Sequence, residues 1–286
     1  MSRRFLSIEE EKQLVQEYLD GASVQVLCTK YGYKTKKSIM NKVRKHHPNP
    51  EEAIKQARQN RKKWSYDISE IRNNFDAYFV GLMLTDGYIS TRGTDAGIDL
   101  IDEDAIALIS KVTGKEYKRY EYSDTDKAFG KCERKDRFRI ILSGKDIVEQ
   151  LARYGVVQKK THTLSGFTLK EEEYKFIPYL IRGIIDGDGC VFQTSYGSPA
   201  FYIISASKPF IQWCKQLLEN HLYLSQVSIT KSKEGLYKLS TAAQDDILKL
   251  ITLAYEKPFG MARKRNKLIE MFRDYNSDLL LQQDMG

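Results

Sequence analysis

Two Asp-Gly pairs occupy matching places in this 286-residue chain. Tyr78–Gly87 reads YFVGLMLTDG and Leu180–Gly189 reads LIRGIIDGDG, so Asp86 and Asp188 lie 102 residues apart. A single Asp-Gly ordinarily marks a helix-ending turn. Its repetition in register points instead to a carboxylate pair. Neighbouring carboxylates repel, and one takes up a proton unless a cation sits between them. A hard divalent ion suits such an all-oxygen site, Mg²⁺ foremost with Mn²⁺ in its place, and backbone carbonyls, water and phosphate complete the shell. A metal near two in-line oxygens activates a water and stabilises a leaving alkoxide, which is the chemistry of phosphodiester hydrolysis.

The acids need helices that meet. Gly81 and Thr85, like Gly183 and Gly187, lie one helical turn apart, giving each apolar stretch a side with little bulk that can pack closely against the other. The echo continues downstream. After each Asp-Gly come a short β-rich run (YIST; CVFQTS), a second strand (AGIDLI; AFYIIS) and a helix (DEDAIALISKV; KPFIQWCKQLLEN). Two further strands follow, KEYKRYEYS with RFRIILS and QVSITKS with LYKLSTA, and each half closes on a helix, DIVEQLARYG or DILKLITLAY. Two copies of α-β-β-α-β-β-α at nearly constant spacing are an internal duplication. They predict an α+β fold of pseudo-twofold halves, residues 74–168 and 169–286.

Charge is concentrated at the front. Residues 1–75 hold 16 Lys/Arg against 9 Asp/Glu, and Lys34–Lys63 alone hold 11 basic residues against 2 acidic ones. That density reads as contact with a polyanion such as DNA or RNA, the alternative being a solvated basic helix. Ser7 with Glu10 forms a capping box for a helix ended by Gly21; Ser23 caps a short helix over Val24–Tyr31; Gly32 turns the chain; Thr35 caps a third helix to about His46. This pattern fits a small all-α helix-turn-helix domain over residues 1–48, against the alternative of a plain three-helix bundle. Lys36, Lys37, Asn41, Lys42, Arg44 and Lys45 are left for phosphates and base edges. Residues 49–73, with Arg61, Lys62 and Lys63, read as a basic, partly helical tether along a nucleic-acid backbone.

Composition narrows the class. Hydrophobic residues at 41% and charged ones at 29% are ordinary for a globular protein. The longest apolar runs fall far short of the roughly 20 residues of a membrane helix, and no signal peptide opens the chain. An intracellular protein without membrane contact is expected, in the cytoplasm or nucleoid of a bacterium or phage-infected cell, or in an organelle. Cys28, Cys132, Cys190 and Cys214 form no CxxC pair and read as packing residues.

FVGLMLTDG and IRGIIDGDG resemble the two signature motifs of the LAGLIDADG homing endonuclease family in its single-chain, two-repeat form, over roughly residues 74–275. The resemblance implies that the signature helices form the interface between halves and that Asp86 and Asp188 bind the divalent metals. The carbonyls of Thr85 and Gly187 would join them as ligands. It also implies a saddle of two sheets over double-stranded DNA with a long target site, and cleavage across the minor groove that leaves 3′ overhangs. QKKTHTL at 158–164 is similar to a linker of the family and makes Lys160 a candidate catalytic residue; GMARKRNKL occupies the equivalent place in the second half and nominates Lys264. The motif's first Asp is Leu84 in one copy and Asp186 in the other, so Asp186 is expected to cap or face solvent rather than ligate.

Period-two patterning places Arg137 and Arg139 on one strand face, with Lys118 and Tyr120 on a face of the partner strand. In the second half Gln193 and Ser195, then Ser228 and Thr230, alternate with neighbours of the other face. These are the candidate DNA contacts of the sheets; the alternative is that such charges merely guard exposed strands. With both acids in one chain, a monomeric site-specific endonuclease without an obligate protein partner is expected. A non-catalytic DNA-binding regulator and an RNA-binding intron maturase on the same scaffold are the alternatives.

Overall fold

The computed structural model describes residues 6–62, 66–121 and 135–283. Lys63, Cys132 and the last two residues of the expected KEYKRYEYS strand lie outside the described residues, and Arg61 and Lys62 are described as backbone alone. The chain divides into two compact units, Met1–Ser65 and Tyr66–Gly286.

The first unit is all helical. Helix α1 (Ile8–Leu19) opens on the expected capping box, with Glu10 N–H donating to Ser7 Oγ (3.1 Å) and Ser7 N–H to Glu10 Oε2 (2.8 Å). Helices α2 (Val24–Tyr31) and α3 (Lys36–His46) are capped by Ser23 and Thr35, and Gly32 takes the left-handed φ of 71° that the turn between them needs. A fourth helix, α4 (Pro50–Lys62), runs through the front of the segment expected to be a partly helical tether. Ala53 and Ala57, one turn apart, bury their small face against the cluster of Leu14, Tyr18, Leu27, Ile39 and Val43, and the Asn60 amide donates to the Leu19 carbonyl (2.6 Å). The density of basic residues hid this two-alanine stripe in the sequence.

Inside this unit Glu11 is buried on α1 and collects three partners from α3. Lys42 donates to Oε1, Lys45 Nζ donates to Oε2 at 2.8 Å, and His46 Nε2 stands 2.6 Å from Oε2. The Lys42 hydrogen bond, followed by those of Lys45 and His46, holds the Glu11 carboxyl at about 2. A carboxyl depressed in the folded state stabilises it above the ordinary value of about 4.5 and loses that contribution as pH falls toward about 2. Amide-exchange protection of α1 and α3 in the full chain is therefore expected to drop between pH 5 and pH 3. Glu11→Gln lowers protection at pH 5 and removes most of that drop. A wild-type profile as flat as the variant's contradicts this role.

The second unit carries the duplication. Its first half runs α5 (Asn74–Thr85), β1 (Tyr88–Ile89), β2 (Asp95–Leu100), α6 (Glu103–Thr113), β3 (Tyr117–Tyr120), β4 (Arg137–Ser143) and α7 (Lys145–Ala152). Its second half runs α8 (Ile177–Asp188), β5 (Gly189–Gln193), β6 (Pro199–Ser205), α9 (Lys208–His221), β7 (Ser228–Lys231), β8 (Tyr237–Thr241), α10 (Gln244–Leu250) continued by one π-helical turn, and α11 (Ala262–Gln283). Each half holds a four-stranded antiparallel sheet, ordered β1-β2-β4-β3 and β5-β6-β8-β7. The α+β class and the repeated element order follow the sequence expectation. Helix α5 is buried from Phe75 to Leu84, all apolar but Asp76 at its first turn, because it lies between the halves against α8. One face of each sheet feeds the core through Ile98, Ile140 and Leu142 or through Val191, Phe201 and Leu239. Among the described residues no helix is long and apolar enough to cross a membrane.

Candidate active site

Helices α5 and α8 touch backbone to backbone. A Cβ on Gly81 would stand 2.9 Å from both Gly183 Cα and Ile184 N, and one on Gly183 would stand 3.0 Å from Gly81 Cα. Only glycine permits that approach. The contact continues to the helix ends, where a Cβ on Gly187 would meet Thr85 Cβ at 2.6 Å and Asp86 Oδ2 at 3.0 Å. The carboxylate of Asp86, the last cap residue of α5, thus lies over the penultimate turn position of α8, beside Asp188.

Electrostatics report the same convergence. Asp86 is half-buried, and loss of solvent followed by the like charge of Asp188 pushes its carboxyl up to about 6; Lys264, Lys160 and Arg137 pull the other way. Asp188 opens to solvent at its outer edge, yet the surrounding protein pushes it up as well, against Lys160 and Lys264. Two crowded carboxylates of this kind are a donor set a cation relieves. Among the described residues no group of three His, Cys, Asp or Glu side chains is placed to hold a metal ion.

Both candidate lysines lie at the ends of these helices. Lys160 Nζ donates to the carbonyls of Thr85 (2.9 Å) and Gly87 (2.6 Å). Lys264, buried, donates to those of Ile185 (2.8 Å), Asp186 (2.5 Å), Gly187 (3.2 Å) and Gly189 (2.7 Å). Carbonyls at a helix C-terminus lack intrahelical donors and carry the negative end of the helix dipole, which an ammonium complements. The Thr85 and Gly187 carbonyls, expected as metal ligands, therefore accept hydrogen bonds from these lysines. Burial lowers the affinity of both ammonium groups for their protons, against the acids that raise it.

Asp186 is neither a cap nor solvent-facing. Its carboxylate is buried and accepts from Tyr78 OH (2.9 Å), Tyr255 OH (2.9 Å) and Met261 N–H (3.1 Å), with Arg182 Nε at 3.9 Å. Arg182 is fully buried too, donates to the Ala254 (3.1 Å) and Lys257 (2.9 Å) carbonyls, and lies over the rings of Tyr255 and Phe259. The first half has Val80 and Leu84 at these positions. An Arg and an Asp four residues apart on an otherwise apolar helix was the available signal.

The sheets sort the remaining candidates. Lys118 faces Arg139 and Tyr120 faces Arg137 across β3 and β4, all on the outer face with Asp99. Asp99 holds both arginines, accepting from Arg137 Nε (2.8 Å) and from Arg139 Nε (2.9 Å) and Nη2 (2.6 Å), while Arg139 also lies over the Tyr120 ring. In the second sheet Ser228 and Thr230 face Ser240 and Lys238, and Lys238 lies 4.5 Å from the Tyr202 ring centroid. Gln193 belongs by register to the opposite face, that of Val191, and its amide donates to the Gly197 carbonyl; Ser195 is exposed in that hairpin turn. In the first unit, Lys36, Lys37, Asn41 and Arg44 are exposed on α3, whereas Lys42 and Lys45 donate to Glu11 instead of standing free for nucleic acid.

Comparison with known proteins gives one family. The LAGLIDADG-like domain matches residues 175–253. No curated protein matches the sequence at a significant level. Among solved structures, the chain is similar to the N-terminal LAGLIDADG domain of DUF199/WhiA, at 12% identity over 69% of this chain and 93% of that one with a TM-score of 0.45. It is similar to I-DmoI in complex with DNA and Mn at 15% identity, over 68% and 100% of the two chains with a TM-score of 0.42. The homing endonuclease I-WcaI, bound to its DNA recognition sequence, is 14% identical over 75% and 92% with a TM-score of 0.49. The match spans α8, the strands β5, β6, β7 and β8 and the helices α9 and α10, so residues 175–253 are similar to a LAGLIDADG-like domain.

Proposed function

We propose that this chain is a site-specific endonuclease of double-stranded DNA, a homing endonuclease that acts as a monomer and leaves 3′ overhangs. The convergence of Asp86 and Asp188 at the abutting ends of α5 and α8 carries the reading. These two carboxylates hold a divalent ion, Mg²⁺ with Mn²⁺ as substitute, which when bound polarises the scissile phosphate and lowers the pKa of water. Lys160 and Lys264 keep positive charge beside the acids and toward the phosphates. The outer sheet faces bind the duplex through Lys118, Tyr120, Arg137 and Arg139 in one half and Ser228 and Thr230 in the other. Asp99 fixes the forks of both arginines before DNA arrives, and a fixed fork loses less entropy on binding.

The first unit adds a helix-turn-helix contact through α3, with Lys36, Lys37, Asn41 and Arg44 in the major groove. Replacing Lys36, Lys37 and Arg44 with Ala together is expected to weaken duplex binding and to flatten the slope of log affinity against log salt by about 3, near 0.9 for each phosphate no longer neutralised. An unaltered slope rules α3 out as a DNA contact. The reaction itself is tested with a random-sequence duplex library, Mg²⁺ or Mn²⁺, and sequencing of the product ends. A defined motif with 3′ overhangs is expected. Binding without cutting under either ion would identify a regulator instead.

A further inference from the structure

Lys264 reaches the end of α8 from the first turn of α11, and the three residues before it are each held by a different carboxylate. Met261 N–H donates to Asp186 Oδ2 (3.1 Å), Ala262 N–H to Asp104 Oδ2 (2.7 Å), and Arg263 Nε and Nη2 to the two oxygens of Asp102 (2.9 and 2.8 Å). Asp102 and Asp104 belong to the first half, at the start of α6. Asp102 occupies the N-cap position of that helix yet makes no side-chain bond to its amides, because both carboxylate oxygens face Arg263. A residue type suited to capping its own helix is thus committed across the molecule. Asp104 divides its oxygens in the same way, one to Ala105 N–H (2.9 Å) and one to Ala262 N–H. The turn ahead of α11 is fixed as well, since Gly260 takes a φ of 62° and a Cβ there would run into the Tyr78 ring.

The first half holds Lys160 differently. Lys159 before it is in the left-handed region, and the nearest anchoring side chain is Gln158, whose amide donates to the Ser90 carbonyl (2.6 Å). The counterpart of Asp102 at the N-cap of α9 is Ser207, which caps its own helix and donates to the Leu164 carbonyl. Pseudo-equivalent lysines are therefore set by unlike machinery, an ionic one for Lys264 and a neutral one for Lys160.

We propose that Asp102, Asp104 and Arg263 form a clasp between the halves, positioning residues that set Lys264 against the carbonyls of Ile185 to Gly189. The geometry of the clasp stands by itself; its effect on cutting rests on the endonuclease reading. Halves related by a pseudo-twofold axis serve the two antiparallel strands, so loosening the clasp impairs the strand served by Lys264 and spares the other.

The test uses the full chain with Asp102→Asn plus Asp104→Asn, Arg263→Gln, and the charge exchange Asp102→Arg with Arg263→Asp. Trace acetylation with acetic anhydride, read by mass spectrometry, gives the reactivity of Lys264 relative to Lys160 in the same molecule. Loss of the clasp is expected to raise that ratio by up to about fivefold, the scale of a broken, partly exposed ion pair, and the exchange restores part of it. With a cleavable duplex the same variants accumulate nicked product cut on one defined strand. An unchanged ratio, or reactivity that rises equally at both lysines as in general loosening, overturns the clasp. A raised ratio in a protein whose wild type cuts no DNA leaves the clasp standing and removes the endonuclease reading.

Discussion

Under the proposed endonuclease reading, Asp86→Asn and Asp188→Asn are each expected to lower double-strand cleavage by about a thousandfold or more while duplex affinity stays within about twofold. Asparagine keeps shape and one oxygen but loses the charge that holds a divalent ion, whose contribution to transition-state stabilisation is several kcal/mol, at about 1.4 kcal/mol per decade of rate. Affinity is expected to survive because the proposed phosphate contacts, which dominate it, are those of the outer sheet faces and not of the acids. Proton competition gives the variants a second signature. Asp86 sits near 6 through loss of solvent and the Asp188 charge, so its protonated form blocks metal binding as pH falls through that value. Calorimetric Mn²⁺ affinity is expected to fall between pH 7 and pH 5.5, and Asp188→Asn moves the midpoint downward by removing the like charge. Full cutting by either variant ends the mechanism.

Gly183→Ala is the larger structural lesion. Its methyl would meet Gly81 Cα and Leu82 N at 3.0 Å, backbone atoms that cannot turn aside as a side chain does. Overpacking costs up to about 3 kcal/mol, and a rigid backbone contact belongs at that end of the range. At roughly 2–4 °C per kcal/mol for a unit of this size, melting falls by about 6–12 °C. The helices that carry Asp86 and Asp188 must also separate or tilt, so cleavage falls further than the melting temperature predicts. Gly81→Ala should match it, being the partner surface. A melting point within about 1 °C of wild type in either variant refutes the described crossing. Screening both by calorimetry and by cleavage separates the two effects.

The sequence exposed what depends on local pattern or on repetition. Caps at Ser7, Ser23 and Thr35 placed three helices within a residue or two, and the duplication gave both signature helices and the succession of strands and helices along the chain, though not the strand order within the sheets. What it concealed depends on partners far along the chain. Nothing in the run Glu9-Glu10-Glu11 singles out Glu11, and only the fold brings Lys42, Lys45 and His46 onto it. Asp186 was expected to cap or face solvent because its partners Tyr78 and Tyr255 are 108 and 69 positions away. The packing of α4, in a segment read as a partly helical tether, was masked by its charge, since two alanines suffice to bury a narrow face. Asp102 stands at the head of the DEDAIALISKV segment with nothing local to single it out, and its bond to Arg263 spans 161 residues.

The two sheets have diverged at paired positions. Asp99 faces Arg139 in the first, and Ile204 faces Lys238 in the second. A symmetric dimer of one repeat would be confined to palindromes, because each subunit presents the same surface to its half of the operator. Joining both repeats in a single polypeptide lifts that constraint and lets each half drift toward its own bases, so the favoured sequence should read differently on its two strands.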